Sequence, residues 1–341
     1  MKAVALKRFL PLENPSSLLD IEIDAPAAPV GHDLLVRVKA VSVNPVDNLT
    51  RSRAARDRDE AVPLVLGWDA AGTVVSVGPE VTRFRPGDAV FYAGSVTRPG
   101  CDCELHLVDE RIVGKKPETL SFAEAAALPL TSVTAWELLF DRLGVSRTGE
   151  DGGKTALVLG GAGGVGSIAL QLAKRLSGLR LIASASRPES AKWALELGAD
   201  LIIDHSRPLA GELKRVGEPE VDYVLCLNDT DRHFPAFGSI IKPQGKIASI
   251  VPTTKPVDLA PLFAKSVSFA WELMFTRSMF GTSDMAEQHQ LLNQVAELVE
   301  RGVLRTTMTQ HFGALSAESL RRALQALEGG HVIGKLVLEV D

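Results

Sequence analysis

The segment TALVLGGAGGVGSIALQLAKRL, Thr155–Leu176, decides the fold. Thr155–Leu159 is a short apolar strand pattern. It runs into Gly161, Gly163 and Gly166 at GxGxxG spacing, then into a helical pattern with Ile168, Leu170, Leu172 and Ala173 as its apolar residues. A bare GxGxxG says little, but a strand before it and a helix after it are the context that phosphate binding requires. Gly161 permits the tight turn, Gly163 lets the backbone approach a pyrophosphate, and Gly166 lets helix and strand pack closely. The helix start, Gly164-Val165-Gly166, offers N–H donors and a positive dipole end to phosphate oxygens. A glycine-rich turn in a sheet that binds nothing is the plainer alternative.

Working outward, strands and helices alternate. Leu179–Ala183, Leu201–Asp204, Val221–Leu225 and Lys246–Val251 are short apolar strands separated by helical patterns, which predicts an α/β fold with a doubly wound parallel sheet. Residues just past such strands lie at the sheet's carboxyl edge, where ligands bind, so Leu227, Asn228 and Ile250 are cofactor-binding candidates. The second strand leads into Ala185-Ser186-Arg187 with no carboxylate before Glu189. An acidic residue there would bind a ribose 2′-hydroxyl, whereas Ser186 and Arg187 suit a 2′-phosphate. Ser190 is a weaker candidate one turn on. The expected cofactor is NADPH (NADP+), unless Arg187 is simply an exposed loop cation.

Before Pro117 the texture differs. Met1–Leu6, Asp33–Ser42, Gly72–Val77 and Ala89–Tyr92 are short strands between turns, predicting a small irregular β-barrel. Arg51–Glu60 is a charge run, most simply a solvated loop or helix face. Ser121 precedes Glu124 by three residues and caps a helix-forming stretch. Toward the C-terminus, Met285–Arg301 and Ala317–Leu327 read as amphipathic helices and Lys335–Val340 as a closing strand. The 341 residues suit two domains, and 45% hydrophobic with 23% charged residues excludes disordered and collagen-like classes. A net charge of −5 without a basic block disfavours nucleic acid as partner. Three cysteines, Cys101, Cys103 and Cys226, fit a reducing compartment. No apolar run reaches the length of a membrane span and none reads as a secretory signal, so a cytoplasmic protein is expected.

Several pieces occur together and in order: Asn44-Pro-Val-Asp47, Gly67-Trp-Asp-Ala-Ala-Gly72, Arg85-Pro-Gly-Asp-Ala-Val90, Ala126–Trp136, the glycine turn and Glu196-Leu-Gly-Ala-Asp200. Through them the chain resembles the medium-chain dehydrogenase/reductase superfamily over nearly its full length, and its quinone oxidoreductase-like branch in particular. Val113–Trp136 and Trp271–Ser278 are similar to a subgroup labelled zinc-type alcohol dehydrogenase-like. The resemblance implies a GroES-like catalytic domain from residues 1–127 and 281–341, with an NADP-binding Rossmann domain, 128–280, inserted between them and cofactor held in the cleft. In zinc-dependent relatives a cysteine ligand lies near Asn44–Asp47 and a histidine follows the glycine that is Gly67 here. This chain has no cysteine before Cys101, and Trp68 cannot ligate zinc. Cys101, Cys103 and His106 have poor spacing for a closed site. No metal is expected.

A developing alkoxide is poorly stabilised without a metal, whereas hydride addition to a quinone or an α,β-unsaturated carbonyl spreads charge that hydrogen-bond donors can meet. The resemblance therefore implies an NADPH-dependent, zinc-independent quinone or enone reductase. It puts Asn44 beside nicotinamide and substrate oxygen, and it makes Asp47 a loop-orienting residue or partner of Arg51. Trp68 becomes a pocket wall or a core aromatic, Thr131 and Thr134 approach the nicotinamide and its ribose or serve as helix-capping hydroxyls, and Lys335 belongs to the family's closing Gly-Lys pair. Tyr92 is the candidate proton donor in the pocket, with a packed tyrosine as the alternative. The tyrosine that the branch usually carries shortly after Asn-x-x-Asp is missing from Asn48–Arg51. Ser266–Phe275 reads as a long apolar edge strand, from which a homodimer is expected. The rival readings are a zinc-dependent alcohol dehydrogenase and a non-catalytic NADPH-binding sensor.

Overall fold

Both chain ends build one unit, Met1–Val133 with Phe275–Asp341, and the middle, Thr134–Met274, builds another, in a computed structural model that describes all residues Met1–Asp341. These divisions fall at 133/134 and 274/275, against the 127/128 and 280/281 read from the sequence. The first falls inside a continuous helix, Pro129–Trp136, which no turn signal marks.

The first unit starts with β1 (Lys2–Leu6), β2 (Leu19–Glu22), β3 (Asp33–Ser42), β4 (Leu64–Val65), β5 (Ala70–Val77), β6 (Ala89–Tyr92), β7 (Leu105–Asp109) and β8 (Val113–Lys115). Alternating burial along β3 gives it an inner apolar face of Leu34, Val36, Val38 and Ala40. One edge of this ten-residue strand pairs antiparallel with β5, and register shifts after Leu35 and Val38 bend it. Its remaining pairings are with β7 along Asp33–Arg37 and, beyond the bend, with the C-terminal strand at Ala40–Ser42. That division curls the sheet. Arg51 ends a helix, Pro45–Arg51, and is buried against Glu328 (2.8 Å) and the Leu10 carbonyl (2.6 Å), so the charge run opens with an internal ion pair.

The second unit contains β9 (Thr155–Leu159), β10 (Arg180–Ser184), β11 (Leu201–Ile203), β12 (Val221–Cys226), β13 (Ile241–Ser249) and β14 (Ser268–Trp271). All pairs are parallel and the order is β11-β10-β9-β12-β13-β14, the doubly wound arrangement that reverses direction between β9 and β12. β9 is buried at all five positions, as a central parallel strand must be. Leu157, Ile182, Val224, Phe237 and Ile247 share one core on a face of this sheet. The edge strand is shorter than the apolar run Ser266–Phe275 predicts. Ser266 has φ +51°, and Glu272 turns inward after four residues, so pairing stops at Trp271.

The chain returns to the first unit through helices Glu287–Glu300 and Ala317–Glu328, which flank β15 (Met308–Ala314), and closes on β16 (Lys335–Glu339). β16 pairs with both β15 and β3. No helix is long and apolar enough to cross a membrane.

Candidate functional site

The glycine turn has the geometry its sequence requires. Gly160, which the motif reading passed over, adopts φ +83°, a conformation that L side chains rarely take. A Cβ on Gly166 would lie 2.3 Å from the Gly160 carbonyl oxygen, and one on Gly161 would lie 2.8 Å from the Ala183 Cβ. Gly163 differs: its Cβ would meet nothing nearer than the Gly160 oxygen at 3.5 Å. Packing therefore demands glycine at 161 and 166, while a Cβ at 163 would make only an ordinary van der Waals contact. Gly163 is also the N-cap of the Gly164–Leu172 helix and supplies no capping side chain, so the N–H groups of Gly164, Val165 and Gly166 head the helix without one. Beside the turn, Leu227 and Asn228 lie 3.6 and 3.5 Å from where a Gly160 Cβ would stand. Asn228 Oδ1 is buried without a hydrogen-bond partner. Ile250 hangs from the end of β12 through its N–H to the Cys226 carbonyl (3.2 Å). An uncapped helix start, an open glycine and an orphaned buried oxygen fit the phosphates and ribose of a dinucleotide.

At the end of β10, Ser186 is exposed and Arg187 half-buried. Arg187 caps the Pro188–Glu196 helix, and its backbone N–H donates to the Ser190 hydroxyl (3.3 Å), which itself donates to the Arg187 carbonyl (2.9 Å). Ser190 is thus buried as a capping residue, while Ser186 and Arg187 stand at the carboxyl edge.

The first unit holds a different kind of site. Asp69, fully buried at the start of β5, accepts from the Ser42 hydroxyl (2.8 Å), Asn44 Nδ2 (3.1 Å), the Leu130 N–H (3.1 Å) and Lys335 Nζ (3.0 Å). Lys335 also donates to the Val43 carbonyl (2.8 Å) and to Asn44 Oδ1. Asn44 gives its remaining amide hydrogen to the Ser42 carbonyl (3.3 Å). Every polar atom of the Asn44 side chain is therefore engaged, and Lys335 is buried behind it. Asn44, expected beside a substrate oxygen, and Lys335, expected beside cofactor, both bind Asp69. Burial raises the Asp69 carboxyl pKa, opposed by Lys335, the Leu130 N–H and the Asn44 and Ser42 side chains.

Asp47 does not pair with Arg51, whose guanidinium is taken by Glu328, Leu10 and Asn48. Instead Asp47 Oδ2 accepts the Asn44 N–H (2.7 Å), closing the first turn of the Pro45–Arg51 helix. Its Oδ1 is buried with no partner. Burial pushes this carboxyl up to about 7, against the Asn44 N–H and Lys335, which lower it.

Tyr92 ends β6, fully buried, and stacks on His106 with ring centroids 5.5 Å apart. His106 Nε2 is 3.0 Å from the Pro99 carbonyl, which can only accept. Nε2 therefore carries the hydrogen, Nδ1 is the acceptor, and the Tyr92 hydroxyl donates to it (3.1 Å). Burial holds the imidazole down to about 4, leaving it neutral at pH 7, and raises the phenol pKa well above 10. Tyr92 is the packed, satisfied tyrosine rather than a poised donor. Trp68 is equally buried, its indole N–H donating to the Ser95 carbonyl (3.0 Å). Thr131 donates back to the Leu128 carbonyl (3.1 Å) as a helix hydroxyl, and Thr134 is buried one turn on. A cavity of about 150 Å³ adjoins this pair, lined by His106, Ser95, Thr97, Arg98, Ser278 and Met285 among others. The guanidinium of Arg98 is matched there by Asp33 (2.7 and 3.0 Å).

No three His, Cys, Asp or Glu side chains are arranged to hold a metal ion. Cys103 donates to backbone carbonyls, both His106 nitrogens are engaged, and burial pushes the thiols of Cys101 and Cys103 up. The donor set does not suit zinc. Sequence reasoning missed Asp69 as the organiser of its cluster, although Gly67-Trp68-Asp69 marked the segment.

Comparison with known proteins gives a consistent picture. Residues 31–135 match the alcohol dehydrogenase GroES-like domain, and residues 197–338 match the zinc-binding dehydrogenase family. A zinc-type alcohol dehydrogenase-like protein of Staphylococcus epidermidis is 40% identical over 341 residues, covering all of both chains. A crystal structure of a Rhizobium etli protein, described as a zinc-dependent alcohol dehydrogenase protein, is 51% identical, with a TM-score of 0.93 over 99% of this chain and 98% of that one. The quinone oxidoreductase of Escherichia coli, solved with NADPH, is 25% identical with a TM-score of 0.82 over 99% and 100%.

Proposed function

The chain belongs to the medium-chain dehydrogenase/reductase superfamily, an oxidoreductase family whose members bind a nicotinamide cofactor, and from that premise we propose that it reduces a quinone or an α,β-unsaturated carbonyl with NADPH, without a metal. The observation that carries the reading is the pairing of an open phosphate cradle with Ser186 and Arg187, where no carboxylate stands to select a 2′-hydroxyl. The E. coli quinone oxidoreductase, solved with NADPH, lends it support.

The bound cofactor supplies a hydride. The chain's own work begins with the Gly164–Gly166 N–H groups, which hold the pyrophosphate at the helix start. The Arg187 guanidinium and Ser186 hydroxyl meet the 2′-phosphate with charge-assisted hydrogen bonds. Leu227, Asn228 and Ile250 line the same edge, Asn228 offering its orphaned Oδ1 to a ribose hydroxyl. In the first unit Lys335 and Asp69 immobilise Asn44 and, through it, the start of the Pro45–Arg51 helix. Trp68 stands where zinc-dependent relatives place a histidine ligand, and Asn44 opens the segment near which they place a cysteine; every polar atom of the amide already has a partner and the indole N–H is bound to Ser95. A substrate that delocalises its own negative charge needs the least from such a site. Since the Tyr92 hydroxyl is held in a hydrogen bond to His106, we assign the final proton to water.

The exposed Trp271 and Leu273 at the β14 edge support a homodimer. The test follows NADPH absorbance after chelator treatment and metal assay, with a simple ortho-quinone or a short enone as acceptor and NADH as control. NADPH-selective, metal-independent oxidation is expected. Measurable NADPH binding with no turnover on either acceptor favours the non-catalytic sensor, and turnover restored only by zinc favours the alcohol dehydrogenase.

A further inference from the structure

At the carboxyl edge of the parallel sheet, two histidines carry ring nitrogens that nothing in the protein meets. His205 lies two residues past β11, and its Nδ1 is buried without a hydrogen-bond partner. His233 lies in the first turn of the Thr230–Ile240 helix that follows β12, is 3% exposed, and has an equally unmet Nε2. The two rings meet edge to face, with centroids 6.5 Å apart and planes at 84°.

The chain around them is built to hold this arrangement. His233 continues the buried stripe of Phe237 and Ile240, which pack into the sheet core, so an apolar residue there would cost no hydrogen bond. Asp229 caps the helix at φ +36°, a left-handed conformation uncommon for a residue with a side chain. Its Oδ1 accepts the Arg232 N–H and its carbonyl the His233 N–H, each at 3.2 Å. Arg232 Nη2 then donates to the His205 carbonyl (3.0 Å), tying the helix start to the β11 loop. No third His, Cys, Asp or Glu completes a metal site with the pair.

We propose that His205 and His233 read the adenine base of the cofactor, each making one hydrogen bond to the edge of the base. This rests on the NADPH reading above. Ser184 of β10 pairs with Ile203 of β11, so Ser186 and His205 each stand two residues past the same pair. The 2′-phosphate assigned to Ser186 and Arg187 and the base hang from adjacent carbons of one ribose, which brings the base to the neighbouring loop. On the other side, Asn228, with its own orphaned Oδ1, opens the β12 loop that leads to His233. Adenine offers an amino donor and ring-nitrogen acceptors along its edge. A neutral imidazole has one donor and one acceptor nitrogen and meets either kind by choice of tautomer. Burial, followed by Arg232, lowers the pKa of both rings, opposed by Asp204 at His205 and by Asp229 at His233.

The experiment uses full-length protein carrying 15N-labelled histidine, with adenosine 2′,5′-bisphosphate, the adenosine half of the cofactor, as probe. Saturation should move the ring-nitrogen resonances of His205 and His233, and saturating inorganic phosphate should leave them in place. Equilibrium titrations then compare wild type with His205→Leu and His233→Leu. Each variant should bind the bisphosphate about fivefold more weakly or worse, the effect of one lost hydrogen bond. Reduced nicotinamide mononucleotide, the other half, should bind all three proteins alike. Thermal midpoints without ligand should hold, because each leucine removes a buried nitrogen that has no partner. The ring measurement needs only wild type and decides even where a variant fails to fold. Bisphosphate binding with both rings unmoved, or with unchanged affinity in both variants, would overturn the proposal and leave the cofactor reading standing. Rings moved equally by phosphate alone would also overturn it. Absence of any bisphosphate binding to wild type would overturn the cofactor reading together with it.

Discussion

After β9 the chain leaves polar groups waiting: an uncapped helix start at Gly164–Gly166 and Asn228 Oδ1 buried without a partner, with no close contact for a Cβ at Gly163 between them. Around Asp69 it does the opposite, with four donors converging on one carboxylate and Lys335 and Asn44 saturated in turn. An unmet buried polar atom is costly unless something else satisfies it in the working state. The first region therefore reads as open to an incoming ligand, and the second as satisfied from within except at Asp47 Oδ1. The Lys335 cation holds Val43, Asn44 and Asp69 together.

The largest effect that could break this contrast comes from Lys335→Met. Asp69 would then be buried with its cation gone, costing about 3–5 kcal/mol. A marked drop in thermal midpoint is expected, and a variant as stable as wild type would mean that the cluster is not held by its charge pair. Gly166→Ala comes next. Its methyl group meets rigid backbone at 2.3 Å, an overpacking cost of about 1–3 kcal/mol, seen as lower stability together with weaker NADPH binding.

Gly163→Ala sharpens the comparison because it separates folding from binding. Residue 163 has φ −70° and a clear Cβ path, so the midpoint should hold while NADPH affinity falls about tenfold or more, equivalent to roughly 1.4 kcal/mol. Equal affinity would mean that no ligand approaches this glycine closely. Tyr92→Phe should do least to turnover. It leaves His106 Nδ1 without its donor, which costs stability on the order of 1–3 kcal/mol, yet NADPH oxidation rates should stay within a few-fold of wild type. A hundredfold loss of rate would restore Tyr92 as proton donor.

The parallel sheet was legible because its signals are local. Five-residue apolar strands, the glycine turn and 3.6-residue periodicity each lie within one stretch of chain, and their alternation points to a parallel sheet, whereas the strand order came only with the structure. The glycines at 161 and 166 were legible for the same reason. The Asp69 cluster was not, since Ser42, Asn44, Asp69, Leu130 and Lys335 come from distant parts of the sequence, and only folding decides that Asn44 spends its amide on them. The histidine that accepts the Tyr92 hydrogen bond lies fourteen residues away on a separate strand, and no spacing rule joins the two. The apolar run Ser266–Phe275 misled for a further reason: hydrophobicity continues through Leu273, Met274 and Phe275, while the buried Glu272 inside it marks where pairing ends.

The most direct test of the open turn and its selectivity is an equilibrium titration of NADPH and NADH into wild-type protein and Arg187→Ala. NADPH should bind wild type at least about tenfold more tightly than NADH, and Arg187→Ala should erase most of that preference while leaving NADH affinity unchanged. Equal affinities in the wild type, or a preference that survives the loss of Arg187, would contradict it.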